Sequence, residues 1–152
     1  MKKHPGISLS IVGCLLFFTV QFTFSQEWKN DFSEALTIAQ GQNKPIILVF
    51  SGSDWCAPCI RFKSKIFDSN DFLEYAEQHY VLYNADFPRK KKNMLAEDKM
   101  NVNKSLAERF NPKGYFPLVV ILNEEEKVLG VTGFDSKKSI QEYIRLFNGF
   151  LQ

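Results

Sequence analysis

Thiols and imidazoles are scarce in this chain of 152 residues, which has three cysteines and two histidines. Beyond residue 25 only Cys56, Cys59 and His79 remain. That is too few for a structural zinc site, which wants about four such ligands. Internal repeats and low-complexity tracts are absent, as are a phosphate-binding glycine loop and a Ser-His-Asp set. An excess of one charge is missing too: residues 26–152 carry 17 basic and 17 acidic side chains, so nothing argues for nucleic acid as a partner. What is left is one domain's length of chain with an ordinary apolar share and two closely spaced thiols.

The one long uncharged apolar stretch, Ile7 to Phe24, follows Lys2 and Lys3 and closes on Thr23-Phe24-Ser25. Small residues at 23 and 25 predict a signal peptide over residues 1–25, cleaved before Gln26. The stretch also approaches the roughly 20 residues of a membrane span, so an uncleaved anchor is one alternative. Lipidation of Cys14, within Ile11-Val12-Gly13-Cys14, is another. Export places the Cys56 and Cys59 thiols where disulfides can form.

Along residues 26–152, Phe32, Ala35, Leu36 and Ala39 recur at helical spacing behind Asp31 as cap, with Glu34 completing a capping box and Gly41 ending the helix. Ile46 to Phe50 reads as a strand buried on both faces. A helix starting near Cys56 follows, with Ile60 and Phe67 on its inner face, then a helix over Asp71 to Gln78 that His79 ends and a strand over Tyr80 to Asp86. Leu95, Val102, Leu106 and Phe110 space a further helix, which Asn101 and Asn103 threaten to interrupt. Leu118 to Leu122 and Lys127 to Thr132 form a hairpin across Asn123 to Glu126. Ile140, Tyr143, Ile144, Phe147 and Leu151 mark a last helix capped near Asp135-Ser136. The class is α/β, a central mixed sheet with helices on both faces.

Trp55-Cys56-Ala57-Pro58-Cys59 sits where a buried strand meets a helix. Unpaired N–H groups and the helix dipole favour a thiolate at Cys56, the form that attacks disulfides. Cys59, three residues on, lies close enough to close a disulfide or to resolve a mixed one. Ala57 favours the helix, and Pro58 in the first turn removes an N–H without a helical partner. An inert structural bridge remains the alternative, though so short a loop constrains the unfolded chain little.

With Phe116-Pro117 opening the second apolar strand, this arrangement resembles the thioredoxin superfamily over Phe32 to Leu151. Asn43-Lys44-Pro45 and Ile66-Phe67-Asp68-Ser69 make it most similar to exported thioredoxin-like domains, including the periplasmic thiol domain of membrane electron-transfer disulfide reductases. The resemblance implies a thioredoxin fold and a redox-active Cys56-Cys59 pair that needs no cofactor or metal. It implies a cis-proline at Pro117, and a substrate-binding rim of Trp55, Phe116, Gly133 and Phe134. Phe50 stands where many thioredoxins bury an aspartate and Leu82 where they place its lysine partner, which leaves Asp54 or water as the group that moves a proton at Cys59.

Two functions follow from different classes. The first is a thiol-disulfide oxidoreductase outside the cytoplasm, acting on protein thiols and disulfides as reductant or relay and supplied by a membrane or periplasmic electron donor; membrane attachment would require an uncleaved leader or a lipidated Cys14. The second is a binding or chaperone module with a stabilising disulfide. Arg89-Lys90-Lys91-Lys92 is either a solvated loop or a patch that steers an acidic partner towards Cys56.

Overall fold

A computed structural model describes residues 27–152; the expected signal peptide, its cleavage site and Cys14 lie outside them. The elements run α1 (Phe32–Gln42), β1 (Ile46–Ser51), α2 (Ala57–Phe62), a wider π-type turn (Lys63–Phe67), α3 (Asn70–His79), β2 (Val81–Asp86), α4 (Glu97–Phe110), β3 (Leu118–Leu122), β4 (Val128–Thr132) and α5 (Ile140–Gly149). No helix among the described residues is long and apolar enough to cross a membrane.

The sheet order is β2-β1-β3-β4, with β1 parallel to β2 and antiparallel to β3, and β3 antiparallel to β4. All six residues of β1 are buried, as its unbroken apolar run requires of a strand covered on both faces. The pleat sends Ile47, Val49, Leu82, Val119 and Ile121 towards a layer containing Phe62, Ile66, Phe72 and Phe147 from the α2, α3 and α5 side. Ile46, Leu48, Phe50, Tyr83 and Val120 face Phe32, Ala35, Ala39 and Leu106 of α1 and α4.

Several local expectations change in the folded chain. Gly41 lies inside α1, which ends instead at Asn43 in the left-handed region, φ 51°. The Asp31 carboxylate caps that helix, accepting from the N–H groups of Ser33 and Glu34. Ile60 is exposed, because the inner face of α2 is set by Cys59 and Phe62 and passes to Ile66 and Phe67 beyond it. Asn101 and Asn103 do not interrupt α4: buried Asn103 accepts from the Tyr83 hydroxyl at 2.8 Å and donates to the Asp86 carbonyl at 2.9 Å. A polar side chain tolerated mid-helix thereby ties α4 to β2. Helix α5 is capped by Ser139 with Glu142 in a reciprocal box, not by Asp135-Ser136, and Leu151 lies beyond its end, exposed.

Candidate active site

Cys56 and Cys59 are joined in a disulfide at the C-terminal end of β1, where ligands of open α/β sheets gather. Cys56 is the N-cap of α2, and its Sγ lies 3.3 Å from the Cys59 N–H that points at it. Pro58 falls in the first turn of α2, where its missing N–H costs no helical bond. The pair is nearly covered, Cys56 4% and Cys59 5% exposed. A partner must therefore approach over the residues that frame it.

Trp55 supplies one side of that frame. Its indole Nε1 donates to the Phe87 carbonyl at 2.7 Å, and its ring meets Phe116 at a centroid distance of 5.4 Å. Phe116 in turn packs edge-on against Phe87, 5.6 Å between centroids. The Phe116-Pro117 bond is cis. The approach to it, Gly114-Tyr115-Phe116, is clamped by buried Asn111, which accepts from Tyr115 N–H and donates to Tyr115 carbonyl, while Gly114 takes φ 66°. Trp55, Phe116 and Pro117 are all half-buried, which suits an apolar rim.

Gly133 and Phe134 stand differently. Gly133 borders the Pro117 carbonyl: a Cβ there would meet that oxygen at 3.6 Å. Phe134 stacks on Phe62, 5.0 Å between centroids, and so packs against the core. Their turn is pinned by the Tyr143 hydroxyl, which accepts from Asp135 N–H at 2.6 Å and lies 3.2 Å from the Gly133 carbonyl.

The expectation about Phe50 and Leu82 is corrected by strand register. Phe50 points into the α1/α4 layer and Leu82 into the opposite one, so the two do not face each other. A one-residue difference along a strand reverses the face. The cavity beside Cys59, about 400 Å³, is lined instead by Val49, Ser51, Phe62, Asn84 and Asp86 among others. Ser51 Oγ is 2.7 Å from Asn84 Oδ1 and 3.3 Å from Asp86 Oδ1, and Asp86 also accepts from Ser53 N–H at 2.8 Å. These polar groups were missed in sequence; the alternation Leu82, Asn84, Asp86 in β2 was the available signal.

Asp54 is committed elsewhere. Its Oδ1 accepts from Arg89 N–H and its Oδ2 from Lys90 N–H and Asn93 Nδ2, each at 2.9 Å. The Arg89 backbone bond first, then the bonds from Asn93 and Lys90, hold its carboxyl below the ordinary aspartate value. The Arg89 guanidinium lies 3.8 Å from the Trp55 ring centroid. Among the described residues no group of three or more His, Cys, Asp or Glu is placed to hold a metal.

A family model described as a thioredoxin-like domain matches residues 32–148, from the start of α1 into the last turn of α5. The chain belongs to the thioredoxin-like family. It is 35% identical over 109 residues to the disulfide bond reductase DsbH of Chlamydia pneumoniae, covering 72% of this chain and 63% of that relative. The thioredoxin-related protein DsbJ of the same organism is 22% identical over 110 residues, 72% of this chain but 31% of DsbJ. The match thus spans less than two thirds of either relative. A solved DsbH oxidoreductase superposes with a TM-score of 0.76 at 30% identity, covering 84% of this chain and 85% of that one. The thioredoxin fold is therefore shared by sequence and by architecture.

Proposed function

We propose that this protein is a thiol-disulfide oxidoreductase that acts on protein disulfides outside the cytoplasm, through Cys56 and Cys59, as reductant or relay. The observation that carries the reading is the Cys56-Cys59 bridge at the start of α2, with the Cys59 N–H directed at the Cys56 sulfur. A helix start favours the thiolate, so Cys56 is the nucleophile. The name of the C. pneumoniae relative, a disulfide bond reductase, supports the reducing direction.

In the dithiol form the Cys56 thiolate attacks a substrate disulfide and expels one substrate thiolate, leaving a mixed disulfide. The Cys59 thiolate then attacks the Cys56 sulfur and expels the second substrate thiolate, regenerating the bridge. Two electrons pass to the substrate, and a thiol donor outside the cytoplasm, soluble or in the membrane, returns them. Trp55, Phe116 and Pro117 receive the substrate beside Cys56, with Gly133 bordering Pro117 and Phe134 packed on Phe62 behind it. Asp86, which lines the same cavity as Cys59, takes the thiol proton through water, whereas Asp54 is occupied by the loop after β2.

Export rests on the Lys2-Lys3 start, the apolar stretch and the Thr23-Phe24-Ser25 site. Cell fractionation with N-terminal sequencing tests it: Gln26 as first residue supports a cleaved signal, and an intact amino terminus or one lipidated at Cys14 in the membrane overturns cleavage before Gln26. The redox reading is tested by reduction of a model protein disulfide. Wild-type protein accelerates it, Cys56→Ser does not, and Cys59→Ser accumulates mixed disulfides on Cys56. Equal rates for wild type and Cys56→Ser overturn it.

A further inference from the structure

We infer that the loop Arg89 to Lys92 is a docking patch for an acidic segment next to the cysteine of a partner protein, and that Asp54 is the residue positioning it beside Cys56. The inference rests on the redox reading above and adds a partner chemistry to it.

The placement comes from the sheet. Strands β1 and β2 run parallel with Ser51 opposite Asp86, so the segments leaving their carboxyl ends emerge side by side. Phe87 N–H donates to Ser51 carbonyl at 2.8 Å, which keeps them together for another residue. From there the loop is tied to the active-site segment at several points: the three hydrogen bonds to Asp54, the Trp55 indole on Phe87 carbonyl, and Arg89 over the Trp55 ring. Asp54 and Trp55 directly precede Cys56. The backbone that carries four consecutive cations is thereby tied to the two residues before Cys56 rather than left on a free tether.

Their charge is only partly offset within the fold, by the Asp54 carboxylate on which Lys90 acts. The ion pairs among the described residues are Lys63 with Asp68, Arg109 with Glu126 and Lys138 with Asp135, and none involves the loop. Asp54, the carboxylate among the described residues that hydrogen-bonds to the loop, is bonded chiefly to backbone N–H groups. Glu97 and Asp98, the next acids along the chain, sit in the first turn of α4, where the helix end favours them. Since residues 26–152 are balanced in charge, the excess here is local. Arg89 to Lys92 are all exposed, and the half-buried Trp55 and Phe116 lie alongside. A segment with apolar residues at its cysteine and acidic ones a few positions away fits both surfaces. The direct link to the cysteine pair favours a protein over an anionic membrane.

Stopped-flow tryptophan fluorescence of the reduced protein, mixed with two disulfide peptides identical except for Asp/Glu or Ser/Gln flanks, tests this. Electrostatic steering raises association rates by factors of 10 or more at low salt, so the acidic peptide reacts about tenfold faster, an advantage that disappears at high salt. In the Lys90→Glu/Lys91→Glu/Lys92→Glu variant the ratio of the two rates falls to about one or below. Asp54→Ala lowers the ratio as well, by releasing the loop. Equal rates for the two peptides with wild-type protein at low salt overturn the inference, as does a ratio unchanged by the charge reversal. Salt-sensitive binding to anionic phospholipid vesicles without a peptide preference overturns it in favour of a membrane contact. No reaction with either peptide defeats the redox reading itself, and this inference with it.

Discussion

The Trp55 indole rests so closely on the backbone of Gly52 that a Cβ added there would stand 2.3 Å from Trp55 Cε2. The ring's position beside Cys56 is therefore set from below by a glycine and from the side by Phe87 and Phe116. Gly52→Ala forces the ring outward. Overpacking of this kind costs about 1–3 kcal/mol. The expected outcome is a lower unfolding temperature together with altered Trp55 fluorescence; an unchanged emission spectrum would show that the ring is not held there.

Cys59 needs a base when it resolves a mixed disulfide, and the proposal gives that work to Asp86. General-base assistance contributes a factor of roughly 100 or more. Asp86→Asn, which preserves acceptor capacity towards Ser53, is expected to slow resolution at least about tenfold near neutral pH. Alkylation of Cys56 in the reduced protein should change far less. Rapid-quench analysis of the mixed disulfide separates the two steps. Equal slowing of both would mean that Asp86 serves the local structure only.

The Asp54 carboxyl lies below its ordinary value of 3.8 in the fold, chiefly because Arg89 N–H donates to it. A depressed folded value means that the bonds to the loop are intact above the unfolded value and lost as pH falls through the folded one. The amide resonances of Arg89 and Lys90 should therefore titrate together with a midpoint below 3.8, and Asp54→Asn should abolish that transition. A midpoint above 3.8 contradicts the arrangement.

Asn103 joins the Tyr83 hydroxyl to the Asp86 carbonyl in the interior, and burial pushes the Tyr83 phenol up to about 12. Asn103→Ala leaves the buried Tyr83 hydroxyl and the part-buried Asp86 carbonyl without this partner, a loss of about 2–3 kcal/mol. Tyr83→Phe removes one hydroxyl and should cost about 1 kcal/mol. Urea unfolding of both variants measures the difference.

Much of the fold was legible because its signals are local. The β1 and β3 runs are too apolar for anything but a doubly covered strand, and Cys56 lies at the helix start that the sequence predicts. Asn103 was misjudged because helix propensity describes an isolated helix, whereas here its amide is satisfied by β2. Helix ends were displaced for a related reason. Asn43 and Ser139 compete with Gly41 and Asp135 as caps, and the length of helix each packed face accepts decides between them.

The sequence by itself determined the class, the strand and helix order, and the thiol pair, since these follow from periodicity and from a three-residue spacing that depends on nothing distant. Tertiary structure alone decided which polar groups meet the pair. Phe50 and Leu82 were assigned by counting along the chain, but the pleat turns them to opposite layers and brings Ser51, Asn84 and Asp86 to the cavity beside Cys59. In the same way Asp54, which with water was a candidate for proton transfer because of its nearness in sequence, is hydrogen-bonded to a loop some 35 residues later. Partners across a parallel pair of strands are fixed by register, and register is a property of the packed sheet rather than of either strand.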